Sequence, residues 1–108
     1  MVYVRVTPGS ADLSRAAEAE RFFRETLIPT LEQMPGFRGY IGGVDRTNAR
    51  ITAISMWDTE RQARQMRADL DPAVLRQMGN LGMELGVSHV YEVIIEASSQ
   101  TGELSAPG

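Results

Sequence analysis

Apolar and polar residues alternate along Val2 to Thr7, with Val2, Val4 and Val6 on one face and Tyr3, Arg5 and Thr7 on the other. That period of two predicts a half-buried strand. Thr7-Pro8-Gly9-Ser10 is turn chemistry, and Ser10 or Asp12 can cap a helix starting just after it. From Leu13 to Met34 the period lengthens: Ala16, Phe23, Leu27, Leu31 and Met34 recur at three- and four-residue steps, an apolar helical stripe. Pro29 removes one amide inside that helix and predicts a kink or a split into two pieces. Pro35-Gly36 stops it.

Two extended-pattern runs come next, Phe37 to Val44 and Arg50 to Trp57, around the turn Asp45-Arg46-Thr47-Asn48. Asp58 and Thr59 then offer side-chain oxygens to free helical amides, and Gln62 completes a capping-box spacing with Thr59. The helix so begun runs to Leu70 with Ala63, Met66 and Leu70 inward. Asp71-Pro72 predicts a fresh N-cap and first residue for another helix. There Val74, Met78, Leu81 and Leu85 lie at compatible spacing, with Gly86 as the residue that ends it. Val90 to Ala97 reads as a fourth strand, and 98–108, rich in small and polar residues, as a disordered tail.

The order strand, helix, strand, strand, helix pair, strand predicts one α+β domain over residues 1–97. It matches a ferredoxin-like βαββαβ fold, with four antiparallel strands ordered 4-1-3-2 and helices on one face. Val2, Val4 and Val6 suit the helix-covered face, which points Tyr3, Arg5 and Thr7 away. In strand four, Tyr91, Val93 and Ile95 form the core set, leaving Val90, Glu92, Ile94 and Glu96 opposite. Valine and isoleucine on an uncovered face predict a homodimer, two sheets packed through the side that carries Tyr3 and Arg5.

Composition removes several chemistries. The 108 residues contain no Cys, so disulfides, thiol nucleophiles and thiolate metal sites are excluded. His89 is the single histidine, which rules out a multi-imidazole metal site within one chain. All eleven basic residues are Arg, so Schiff-base chemistry and a phosphate-loop lysine are absent as well. The formal charge of −3 gives no basic field for nucleic acid. No apolar run reaches membrane-spanning length and the chain opens directly on a strand pattern, so a cytoplasmic location is the expectation.

Several segments together resemble the antibiotic-biosynthesis-monooxygenase-like family of dimeric α+β barrel proteins. They are Tyr3-Val4-Arg5-Val6-Thr7, Arg21-Phe22-Phe23-Arg24-Glu25, Pro29, Pro35-Gly36-Phe37-Arg38-Gly39, Val44-Asp45-Arg46, Ile54-Ser55-Met56-Trp57-Asp58-Thr59-Glu60 and Tyr91-Glu92-Val93. The resemblance implies a dimeric barrel with a ligand cavity between sheet and helices or within the barrel. Its implied mechanism is oxygenation without a bound cofactor or metal, on a small aromatic or polyphenolic substrate. One branch of the family degrades haem, with a tryptophan and a ligating histidine where this chain has Met66 and Arg76. That departure argues against haem here.

The candidate catalytic residues are Arg5, His89 and Glu92. Arg5 holds a substrate carboxylate or phenolate with its planar fork, or else pairs with Glu92 on the adjacent strand. His89 is a general base near neutral pH, or a surface residue at a strand start. Tyr3, Tyr40, Ser55, Trp57 and Met66 are candidate substrate-binding residues; Trp57 equally suits the junction between strand three and the next helix, and Met66 suits the core. A non-catalytic dimeric barrel that binds a small ligand or serves as an accessory protein is the alternative function.

Overall fold

The computed structural model describes residues 1–97, and the expected tail, 98–108, lies outside them. Strand β1 spans Tyr3–Ser10. Asp12 then accepts from the Ser14 amide at 3.0 Å and starts a short 3₁₀ turn, Leu13–Arg15, which runs into α1, Ala16–Phe22. The next turn, Phe23–Leu27, is a π-helix, and α2 continues from it as Ile28–Glu32. The widened turn sits directly before Pro29, whose missing amide and bulky ring oppose an ordinary α-turn there. Gly36 ends the segment at φ 82°, a left-handed conformation open to glycine. A Cβ at that position would also overlap the side chain of Gln62.

Strands β2, Phe37–Asp45, and β3, Arg50–Trp57, form the hairpin, with a register irregularity between Phe37 and Gly39. Asp45 accepts from the amides of Thr47 and Asn48 and so closes the connecting turn. Helix α3, Glu60–Asp69, begins with the expected capping box: Thr59 and Gln62 each accept from the other's backbone amide at 3.2 Å. Helix α4, Pro72–Asn80, is capped by Asp71.

The end of α4 corrects the expected helix end at Gly86. Gly82, at φ 82°, donates to the Gly79 carbonyl while Met83 donates to that of Met78, the paired bonds of a Schellman motif. Leu85 therefore leaves the helix and joins a two-residue strand, β4, Glu84–Leu85. The last strand, β5, covers His89–Glu92, half the length expected, and Val93 adds one further bond to Val2.

The sheet is antiparallel and runs β2-β3-β1, with β5 and β4 sharing the free edge of β1. The predicted strand order 4-1-3-2 holds, with two short pieces in the place of strand four. Between them Thr7 and Ser88 share a 2.7 Å hydroxyl bond.

The faces of the sheet are the reverse of the expectation. Arg5 pairs with Ser55 and Tyr3 with Trp57, and both β3 partners are buried, at 3% and 1% exposure. Residues directly opposite in a ladder share a face, so Tyr3, Arg5 and Thr7 look toward the helices. Val90 and Glu92, partners of Arg5 and Tyr3, are on that side too. Val4, Val6, Ile54 and Met56 lie on the bare face with Ile41, Tyr91 and His89. The reason lies in β3: burying Trp57 requires its whole alternating set, Ser55 included, to face the helices, and register carries β1 with it. The core joins Trp57 to Phe22, Leu27 and Leu31 from the first helical run, and to Ala63, Leu70, Val74 and Met78 from α3 and α4.

Candidate functional site

A cavity of about 660 Å³ opens between the helix-facing side of the sheet and the helices, a size suited to a small organic ligand. Most of its wall is apolar: Ala16, Ala19, Phe23, Leu27 and Ile28 on one side, Leu70, Leu75 and Met78 on another. Its floor is sheet, including Arg5, Thr7, Tyr40, Gly42 and Ala53.

Arg5 is held by α3. Its Nη1 donates to the Ala63 carbonyl at 3.0 Å and the Arg64 carbonyl at 3.2 Å. Each helical carbonyl has a second lone pair for this. Burial, and secondarily the charge of Arg67, lower the Arg5 pKa from its ordinary value, yet a guanidinium stays protonated at neutral pH. Arg67 lies one turn beyond Ala63 on α3 and lines the same cavity. Neither arginine has a carboxylate within ion-pairing distance among the described residues. The expected Arg5–Glu92 pair is therefore not formed: Glu92 stands opposite Tyr3, exposed, while Arg5 stands opposite Val90.

Tyr40 lies across the sheet from Arg5, with Ser55 between them on β3. Burial alone pushes its phenol up to about 12, so at neutral pH it is a neutral hydrogen-bond donor. Its ring packs at 6.2 Å from that of Phe23 and its hydroxyl lies beside Gly42. At the rim, Glu20 is occupied by Arg24 at 3.1 Å.

The expected site residues divide. Arg5, Tyr40 and Met66 line the cavity together. Ser55 and Trp57 lie beneath it: Trp57 Nε1 donates to Ser55 Oγ at 2.8 Å, and Ser55 Oγ meets Met66 Sδ at 3.6 Å. Trp57 also meets Phe37 edge-on at 5.5 Å, the junction packing expected of it. Tyr3 packs against the core away from the cavity wall. His89 is on the opposite side of the sheet, opposite Val6 and 6.4 Å from the Tyr91 ring. Neither His89 nor Glu92 reaches the cavity. Sequence reasoning misses Arg67, Phe23 and the Thr7–Ser88 pair. Arg67 falls one residue after Met66 on a charged helix, and only the position of Arg5 distinguishes it from its solvated neighbours.

Haem does not fit this arrangement by the histidine ligation of the haem-degrading branch. Met66 is on the wall, Arg76 is exposed on α4 away from it, and the single imidazole is behind the sheet. Among the described residues no three His, Asp or Glu side chains gather as a metal site, and no helix is long and apolar enough to cross a membrane.

No family model and no curated protein matches the chain. Solved structures match it in shape. A cofactor-independent oxygenase of Streptomyces nogalater superposes with a TM-score of 0.66 at 16% identity, over 91% of this chain and 98% of that one. A monooxygenase of Streptomyces coelicolor in complex with nanaomycin D gives 0.63 at 17%, over 89% and 92%. A heme-degrading protein of Mycobacterium tuberculosis gives 0.65 at 15%, over 91% and 100%. What the chain shares with these structures is the ferredoxin-like α+β fold.

Proposed function

We propose that the chain acts as a cofactor-independent monooxygenase on a small phenolic or polyphenolic aromatic compound bound in this cavity. The observation that carries the proposal is the unneutralised pair Arg5 and Arg67 on the wall of an apolar cavity. Two cations at the mouth of a low-dielectric space favour the ionised form of a phenol, whose electrons are then available to oxygen. The phenol releases its proton to solvent, and the phenolate gives an electron to O₂. The resulting radical pair joins as a carbon–oxygen bond, and the peroxide anion takes a proton back from solvent; loss of water then breaks the O–O and ring C–H bonds and leaves a quinone. One O₂ is consumed, with one oxygen atom in the product and one in water. Arg5 and Arg67 hold the anion, Tyr40 orients the ring system, and the apolar walls exclude solvent. Oxygen uptake with a panel of phenols, assayed for quinone product, tests this; an Arg67→Gln variant should lose most of the rate.

A ligand-binding or accessory role without catalysis is the second reading. Two observations favour it: neither expected base reaches the cavity, and Glu20 is engaged by Arg24. Ligand binding with no oxygen uptake by any phenol would select it. In either case the protein works as a cytoplasmic homodimer, joined through the bare face that carries Val4, Val6, Ile54 and Met56. The 59% exposure of Ile41 and 54% of Tyr91 on that face support the pairing. Sedimentation at micromolar concentration should give twice the monomer mass, and Ile54→Lys should halve it. Cell fractionation tests the location.

A further inference from the structure

We infer that Met66 is a peroxide-responsive modification site. Hydrogen peroxide entering the cavity oxidises its thioether to one sulfoxide epimer, which turns an apolar stretch of wall polar. The inference uses the shape of the cavity and stands apart from the oxygenase proposal.

Three side chains form a chain from the core to the cavity. Trp57 Nε1, a donor only, gives its hydrogen to Ser55 Oγ at 2.8 Å. Ser55 is 3% exposed, so its own hydrogen is kept from bulk water and goes to Met66 Sδ at 3.6 Å. Met66 is half-buried on α3, one turn before Leu70, and lines the cavity. A thioether sulfur carries two lone pairs, and the sulfoxide made at each is a different epimer. The Ser55 hydroxyl covers one of them from beneath the cavity wall. The other is left to an oxidant that arrives through the cavity. Met78 and Met83 line the same cavity, but at 6% and 5% exposure they are closed off more fully.

The oxidation needs only peroxide. The uncovered sulfur lone pair attacks the nearer oxygen of H₂O₂, and the S–O bond forms as the O–O bond breaks. The far oxygen leaves as water, taking the proton of the nearer one through solvent. Sulfur gives up two electrons and the peroxide gains them. The new S–O dipole stands on an apolar wall, where it favours water over an apolar occupant. Its sulfur is now partly positive and accepts poorly from Ser55, so the Ser55 hydroxyl turns and its bond from the indole changes with it. Trp57 is the single tryptophan of the chain, so its emission reports this one event. Sulfoxide reductases reverse the change.

The test treats the folded protein with dilute hydrogen peroxide, cleaves it, and assays the Met66 peptide with the two methionine sulfoxide reductases, each specific for one epimer. Met66 should gain one oxygen before Met78 and Met83, with about a tenfold excess of one epimer. Protein oxidised while unfolded in urea should give the two epimers equally, and Ser55→Ala should move the folded protein toward that mixture. Trp57 emission should change when the parent is oxidised and stay constant in Met66→Leu. The neutral apolar probe N-phenyl-1-naphthylamine should bind the oxidised parent several-fold more weakly, and Met66→Leu alike before and after peroxide. Circular dichroism should show both variants folded. An equal epimer mixture from folded protein, oxidation of Met78 ahead of Met66, or an emission change that persists in Met66→Leu would overturn the inference. So would probe binding that is absent or indifferent to oxidation. Oxygen uptake with phenols is scored separately and bears on the oxygenase proposal alone.

Discussion

Arg5 Nη1 donates to the carbonyl of Ala63 at 3.0 Å, so the central strand of the sheet is tied to the middle of α3 by a charged side chain. A second bond, to the Arg64 carbonyl, makes the tie bidentate at the helix. The consequence is a guanidinium whose position depends on backbone, not on a carboxylate. Its charge stays available to the cavity.

That arrangement predicts a thermodynamic cycle. Arg5→Leu should destabilise by about 1–3 kcal/mol through loss of two charge-assisted bonds. Glu92→Gln, at an exposed position, should stay within about 0.5 kcal/mol of the parent. The double variant should equal their sum within about 0.5 kcal/mol, because the residues share no contact. Urea denaturation measures all three, and a coupling above about 1 kcal/mol would restore an Arg5–Glu92 pair.

Tyr40 predicts an alkaline signature. Its folded pKa is raised by burial to about 12, above the ordinary phenol value of 10.0. The phenol therefore favours the folded state fully below about pH 10 and loses that contribution as pH rises to about 12. Absorbance at the phenolate band should show one tyrosine ionising in that late window. Tyr40→Phe should remove the late step and flatten the loss of stability across it.

Beneath the cavity, Ser55→Ala should strand the Trp57 indole N–H in the core at a cost of about 1–3 kcal/mol. Ligand affinity should be unchanged, since Ser55 is not on the cavity wall. A stable variant with weakened binding would place Ser55 in the site after all.

Gly36→Ala should cost more than about 1 kcal/mol, for a left-handed backbone and for the overlap with Gln62. In a Gln62→Ala background the overlap disappears and only the backbone part remains. Thermal melts of the two pairs should therefore be non-additive, with the smaller loss in the Gln62→Ala series.

The fold is legible in the sequence because its punctuation is local. Pro35-Gly36, Thr59 with Gln62, and Asp71-Pro72 each satisfy or deny particular backbone amides within a few residues, so the ends they mark do not depend on tertiary context. The Gly82 stop is not legible by the same logic, since Leu81 and Leu85 continue a helical spacing that the fold diverts into a strand. The sheet's sidedness is hidden for a different reason. Val2, Val4 and Val6 are apolar enough for either face, and only burial of Trp57 decides which set is enclosed. Once that is reversed, His89 moves behind the sheet with Val6, and Arg5 moves into the cavity. Arg67 becomes visible only through the fold.

The π turn at Phe23–Leu27 has a consequence for how this helix can change over time. In a uniform α-helix, residues five apart point about 140° away from each other. Here Phe22 and Leu27 are both in the core, Leu27 reaching the cavity wall as well, while Phe23 and Ile28 both line the cavity. The wide turn works as a phase shifter, bringing the members of each five-residue pair onto a common side of the helix. Deleting one residue from it would bring each pair to a four-residue spacing, which an ordinary α-helix holds within about 40° of the same side. The segment can thus lose one residue and become ordinary α-helix without turning α2 over, whereas a second deletion would rotate everything beyond by about 100°.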